Sequence, residues 1–380
     1  MRKLKLAVAV AISAIAITTC LSACGAPAHE HKMREVAAVA STCEKEGTAA
    51  YYECTDCKKL FSDEAGTKET TLKDLKLPLA EHDFYEVHSQ KNYNCHWYTC
   101  SVCEETSDEV EHVFTQVENK AATYTHDGYT AGKVCLECGY GKEGGSVIPK
   151  TTLFTQETYE GVNYCLYEPH LAPTSTEKLP LVLFLSGSDE RGDDNEIQLK
   201  NAICEVVKKD SDSKFMESVV LVPQCPENTM WADSPWADGA YNLADKTETQ
   251  IMKDVMKLVK HYAELPYVDA SRVYVIGISM GGIGAWDALA RYPDVFAAGV
   301  PVCGSGPIDA VDTLKNIPIY TFHSSNDTSV PYSGTKTVVD AIKAAGGTKI
   351  EFVTFDKGHM IWDDAITYTG LEDWLFAKTK

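Results

Sequence analysis

An α/β fold, a mostly parallel sheet with helices on both faces preceded by small cysteine-rich modules, is the class the sequence predicts, and three observations predict it. From Thr151 onward, short β-branched runs alternate with helical stretches, the order that layers helices over a parallel sheet. One of those runs leads directly into Gly277-Ile-Ser279-Met-Gly281-Gly282, a G-x-S-x-G turn with a helical pattern behind it. Upstream, eight of the 14 cysteines fall between Cys43 and Cys138, so that stretch is built on different principles from the rest. At 380 residues the chain has room for two or more units. We divide it at 1–24, 25–148 and 149–380.

The first segment reads as an export signal. Arg2, Lys3 and Lys5 supply a positive start, and Leu6 to Thr19 an apolar run too short for a comfortable membrane span. It ends in Leu21-Ser22-Ala23-Cys24, which resembles the lipobox of bacterial lipoproteins. The resemblance implies that Cys24 becomes the first mature residue and carries a diacylglycerol, which would hold the chain at the cell surface through a lipid anchor in the membrane. An ordinary signal peptide cut nearby is the alternative. The formal charge of −20 argues against a nucleic-acid partner, because a polyanion needs a basic footprint.

In the second segment, Cys54-Thr-Asp-Cys57, Cys100-Ser-Val-Cys103 and Cys135-Leu-Glu-Cys138 are three C-x-x-C pairs, and they mark three degenerate repeats at about 29–82, 82–112 and 112–148. The first offers Cys43, Cys54, Cys57 and His82, with His29 and His31 as other choices. The second offers Cys95, Cys100 and Cys103 with His112 or His82. In the third, Ala-Ala-Thr-Tyr124 echoes Ala-Ser-Thr-Cys43, so a tyrosine stands where the leading cysteine would be. Three thiolates with an imidazole make a tetrahedral set that suits a structural zinc ion. Export to an oxidising medium favours disulfides instead, although three cysteines per repeat leave one without a partner inside it. The segment resembles the small cysteine-rich repeats of surface proteins from anaerobic Gram-positive bacteria, which implies a stalk or attachment role and no catalysis. Gly144-Gly145-Ser146 with Pro149 is the expected linker.

The third segment carries the chemistry. Strands are expected at Leu181–Leu185, Val219–Val222, Arg272–Ile276, Ala298–Val302, Ile317–Phe322 and Lys349–Phe355, with a helix from Thr247 to Tyr262 whose Ile251, Val255, Leu258 and Val259 share one face. A serine between two glycines, after a strand and before a helix, sits in a tight turn where flanking side chains would collide. Its hydroxyl needs a base, and the base a carboxylate to hold its tautomer. Asp327 and His359 follow two successive strands in the required order. His323 is read as an orienting or packing residue, and Cys165, Cys204, Cys225 and Cys303 as buried small side chains or a disulfide. Oxyanion donors are expected from the backbone N–H of Met280 and from the loop Ser186-Gly187-Ser188-Asp189-Glu190-Arg191-Gly192, at Ser188. Acyl transfer of this kind requires no cofactor.

Pro180-Leu-Val-Leu-Phe-Leu-Ser-Gly-Ser-Asp-Glu-Arg-Gly, Val222-Pro-Gln-Cys-Pro-Glu with Trp231, and Gly-Ile-Ser-Met-Gly-Gly-Ile-Gly-Ala-Trp286 together resemble the bacterial phospholipase/carboxylesterase-like α/β-hydrolases. That group includes predicted peptidases and is related to feruloyl and acetylxylan esterases. The resemblance implies a serine esterase acting on acylated carbohydrate or small esters. One departure is Ser186-Gly187, where that family usually has His-Gly. Trp231, Trp236 and Trp362 are candidates to wall a sugar or acyl pocket, although the first two could equally anchor the long loop from Gln224 to Ala244. A serine peptidase using the same three residues is the second reading, and a binding protein with a silent hydrolase the third.

Overall fold

The computed structural model describes residues 31–171, 175–203, 207 and 212–380, so Cys24, His29 and Cys204 lie outside the described residues. The chain divides into two compact units: Glu46–Pro78 with the described part of Met1–Ser41, and Thr42–Lys45 with Leu79–Lys380.

In the first unit, Met33–Val36, Tyr51–Cys54, Leu60–Phe61 and Glu69–Thr70 form an antiparallel sheet in that order. The second unit opens with two similar sheets, one of Phe84–Lys91, Cys95–Cys100 and Val110–Glu111, the other of Phe114–Val117, Gly132–Cys135 and Gly141–Lys142. All three modules share one register. Met33 pairs with Cys54, Phe84 with Cys100 and Phe114 with Cys135. Each of those strands begins two residues after a histidine, namely His31, His82 and His112. Antiparallel pairing therefore sets each histidine beside the C-x-x-C pair of its own module.

The expected linker is structured. Ser146–Ile148 pairs with Gly128–Thr130, and a Cβ on Gly145 would meet the Lys133 N at 2.5 Å. The chain then leads straight into the next domain, with Thr151 and Thr152 N–H groups donating to the Thr123 and Tyr124 carbonyls at 3.0 and 3.1 Å. Thr125 N–H and hydroxyl donate to the Glu196 carboxylate at 3.0 and 2.6 Å. Glycines that read as flexible in isolation are here required for close backbone approach.

The remainder is one eight-stranded sheet. Its strands are β1 (Thr155–Tyr159), β2 (Val162–Tyr167), β3 (Leu179–Leu185), β4 (Val219–Pro223), β5 (Val268–Ile278), β6 (Ala298–Val302), β7 (Ile319–Ser324) and β8 (Ile350–Phe355). Their spatial order is β1-β2-β4-β3-β5-β6-β7-β8, with β1, β2 and β4 joined antiparallel and every other neighbour parallel. Helices α1 (Gln250–Ala263), α2 (Met280–Arg291), α3 (Val311–Leu314), α4 (Tyr332–Ala344), α5 (Trp362–Ile366) and α6 (Leu371–Phe376) cover it.

All seven residues of β3 are buried, as a strand covered on both faces demands. Leu181, Leu183 and Leu185 enter one core while Val182 and Phe184 enter the other. On α1, Thr249 accepts from the Met252 N–H as N-cap, and Val255, Leu258 and Val259 are fully buried, so the apolar stripe read from the sequence packs on the sheet. The hairpin of β1 and β2 had no sequence forecast. Its edge strand is largely solvent-facing, with Glu157 and Thr158 breaking the apolar pattern. No described helix is long and apolar enough to cross a membrane.

Leu183 is fully buried at the centre of this sheet. Leu183→Ala is expected to cost about 2–5 kcal/mol, read as a lower urea midpoint.

Candidate active site

Backbone strain places the serine. Ser279 follows the last residue of β5 and caps α2 at φ 55° and ψ −119°, a conformation that costs a non-glycine residue about 1–3 kcal/mol. Neighbouring glycines permit it. A Cβ on Gly277 would lie 2.0 Å from the Gly281 oxygen, and one on Gly281 would lie 1.9 Å from the Leu185 oxygen.

Asp327 follows β7 and His359 follows β8, and the two loops are laced together. Asn326 Oδ1 accepts from the Gly358 N–H at 2.6 Å and from the Ser324 hydroxyl at 2.8 Å, while Ser324 Oγ accepts from the Lys357 N–H at 3.0 Å. Ser279 Oγ then lies 2.8 Å from His359 Nε2, and His359 Nδ1 lies 2.6 Å from Asp327 Oδ2. An ionised carboxylate only accepts, so Nδ1–H donates to it and Nε2 is left to accept the serine proton. That is the arrangement in which an alcohol can be activated for attack.

Asp327 has no exposed side-chain surface. Burial pushes its pKa up, but hydrogen bonds from His323 and His359 and from the Val330 and Ser329 N–H groups outweigh it and hold the carboxyl well below the usual range. His323, fully buried, places Nε2 3.2 Å from Asp327 Oδ2 and Nδ1 2.7 Å from Thr335 Oγ1, the orienting or packing position the sequence suggested.

Ser279 opens onto a cavity of about 590 Å³. Met280 is the first residue of α2 and Ser188 the first of a short 3₁₀ turn, Ser188–Glu190, so the N–H of each has no acceptor within its own helix. The Ser188 loop runs beside the nucleophile, since a Cβ on Gly187 would lie 3.6 Å from Ser279 Cβ. Trp236 and Trp362 line the cavity, and the Trp362 ring stands edge-on to His359 with centroids 5.5 Å apart.

Of the two readings offered for Trp231, pocket wall or loop anchor, the structure places it as an anchor. It is fully buried, and its Nε1–H donates to the Ser186 carbonyl at 2.9 Å, so it clamps the loop from behind. Ser186 itself is fully buried with its Oγ unpartnered. Two wall residues carried no sequence signal of their own. Glu190 is buried and pushed up by that burial, and Lys357 sits next to the His359 loop. Cys165, Cys225 and Cys303 are buried, with burial raising Cys225 to about 11.

The cysteine modules assemble three groups of metal-ligating atoms, each within 4.8 Å of one another. Cys54 and Cys57 meet His31. Cys100 and Cys103 meet His82 and Cys43. Cys135 and Cys138 meet His112 and His96. The sequence expectation is corrected at three points. Cys43 stands with the second C-x-x-C pair, beside His82, one of the two histidines offered there, while His31, an offered alternative, takes the first pair. Cys95 stands outside all three groups, its thiol donating to Glu109 at 3.0 Å. His96, which the sequence reading passed over, takes a place in the third group, and its only sequence cue was adjacency to Cys95.

Residues 236–320 match the prolyl oligopeptidase family, a span that includes Ser279 and stops short of Asp327 and His359. The chain is 28% identical over 180 residues to a bifunctional acetylxylan esterase/xylanase of Neocallimastix patriciarum, covering 47% of this chain and 23% of that protein. It thus spans about a quarter of the length of the curated relative it matches. A thermostable esterase superposes with a TM-score of 0.51 at 20% identity, over 92% of this chain and 94% of its own. The fold is therefore that of the α/β-hydrolases.

The depressed Asp327 carboxyl has a pH consequence. Its stabilising effect is fully present above the unfolded value of about 3.9 and is lost as pH falls through the lower folded value. Urea unfolding should show Asp327→Asn less stable than the parent at pH 7, with the gap closing at pH 3 and below.

Proposed function

We propose that the chain is a serine carboxylester hydrolase of the cell surface, anchored through a lipid on Cys24. Ser279 attacks the ester carbonyl while His359 takes its proton, and the N–H groups of Met280 and Ser188 receive the negative charge that develops on the carbonyl oxygen. His359 returns the proton to the leaving alcohol. Water then attacks the acyl-enzyme, His359 acting again as base, and frees Ser279. Asp327 keeps the imidazole in the tautomer this sequence needs.

The observation that carries the reading is the 2.8 Å contact of Ser279 Oγ with His359 Nε2 at the edge of a cavity. Aromatic planes at Trp236 and Trp362 suit an acylated sugar or a small ester, and the acetylxylan esterase relative supports that substrate class. The Cys/His groups of the modules are proposed to hold structural zinc with no part in hydrolysis. A peptidase reading finds support in the prolyl oligopeptidase match, since amide and ester cleavage share a tetrahedral intermediate.

Labelling with a fluorophosphonate is expected for the parent and absent for Ser279→Ala. Equal labelling of the two would leave the binding-protein reading standing. With p-nitrophenyl acetate, methyl ferulate and peptide anilides as substrates, the esters should turn over faster, and Asp327→Asn should lower kcat by about 10⁴-fold. Preferential cleavage of the anilides would transfer the proposal to the peptidases.

A further inference from the structure

Two of the three Cys/His groups draw a ligand from outside their own module. Cys100, Cys103 and His82 belong to the second module, yet Cys43 precedes the first C-x-x-C pair by eleven positions in the chain. The segment Thr42–Lys45 that carries it groups with the second unit, so the whole set lies within that unit. Cys135, Cys138 and His112 belong to the third module, yet the fourth member is His96 of the second.

The distances are those of a coordinated ion. With Zn–S near 2.3 Å and Zn–N near 2.05 Å, a tetrahedron has S···S edges of about 3.8 Å and S···N edges of about 3.6 Å. Cys43 Sγ lies 3.8 Å from Cys100 Sγ, Cys103 Sγ lies 3.3 Å from His82 Nδ1, and Cys138 Sγ lies 3.4 Å from His112 Nδ1. Disulfide pairing would leave one of the three thiols in the Cys43 group over, and it would give the histidines no role.

The imidazoles are held as metal ligands are held, by the far nitrogen. His82 turns Nε2 toward the Glu105 carboxylate at 3.6 Å, and His112 Nε2 donates to the Asn92 carbonyl at 2.9 Å. His96 is the clearest case. It is 1% exposed, its Nε2 lies 3.1 Å from the Glu137 carboxylate, and its Nδ1 is buried with no hydrogen-bond partner. An unpartnered buried nitrogen among two thiols and a second imidazole is a lone pair awaiting a cation.

We infer that two of these groups are structural zinc sites that share ligands between modules, a Cys₃His site at Cys43, His82, Cys100 and Cys103 and a Cys₂His₂ site at His96, His112, Cys135 and Cys138, each completed by a ligand lent from the preceding module. This rests on the structural-zinc reading and adds the sharing of ligands. Each ion then ties two stretches of chain that their small sheets alone do not unite. In the third module no later module follows, and Thr125, in the segment equivalent to Cys43, bonds the Glu196 carboxylate of the hydrolase instead.

The full chain, prepared without oxygen and dialysed against a mild chelator, is expected to retain at least two zinc ions, counted by elemental analysis. Cys43→Ser with Cys100→Ser should lose one ion, as either change alone does, whereas Cys43→Ser with Cys135→Ser should lose both. Likewise His96→Gln with Cys138→Ser should lose one, and His96→Gln with Cys100→Ser both. Fluorophosphonate labelling of Ser279 reports that each variant is folded. For any variant that fails it, alkylation of the parent during graded chelation decides: Cys43 should become reactive at the chelator concentration that frees Cys100 and Cys103. Reactivity of Cys43 in step with Cys54 and Cys57, or loss of two ions from Cys43→Ser with Cys100→Ser, overturns the sharing of ligands and leaves zinc intact. A zinc-free protein with all eight thiols blocked as disulfides overturns both.

Discussion

Gly281 packs so tightly under the Leu185 carbonyl that the first turn of α2 and the end of β3 meet backbone to backbone. That contact fixes where α2 begins, and with it the strained Ser279 at its cap. A Cβ there would push the helix away and carry the hydroxyl out of reach of His359. The seven buried residues of β3 and the glycines of the turn thus serve one purpose, which is to hold a single oxygen against an imidazole delivered by a loop eighty residues later.

The other half of the site is electrostatic. A carboxylate without exposed surface is tolerated only where donors surround it. Asp327 has four, from two imidazoles and two backbone amides. The lacing of its loop to that of His359 through Asn326 and Ser324 means that neither partner moves without the other. Rigidity of this order lets fixed dipoles meet developing charge without reorganisation.

Much of this was legible in the chain because local rules and global fold agree there. Ala298–Val302 emerged with the bounds read from its β-branched run, and the G-x-S-x-G turn announced its own geometry. Asp327 and His359 could be named because each directly follows a strand. What escaped notice depends on distance in sequence. The β1–β2 edge hairpin alternates too weakly to be seen, and Trp231 looks identical whether it faces a pocket or the back of a loop. Cys43 and His96 find their partners through antiparallel register and chain crossing, neither of which is encoded in spacing. Ser186 keeps the loop amide available because Trp231 grips its carbonyl, a support that no local motif discloses.

The bond between Thr125 and Glu196 reaches beyond its own energy. Glu196 lies a few residues past the loop that ends at Gly192, and Asn195, beside it, reaches the carbonyls of Glu157 and Tyr164. The last module is therefore splinted to the sheet, and the glycines expected as a linker are closed between two short strands, Gly141–Lys142 and Ser146–Ile148. With that junction bonded on both sides, the mouth of the cavity keeps a constant bearing on the module that precedes it. Any reorientation of that mouth carries the third module along with it.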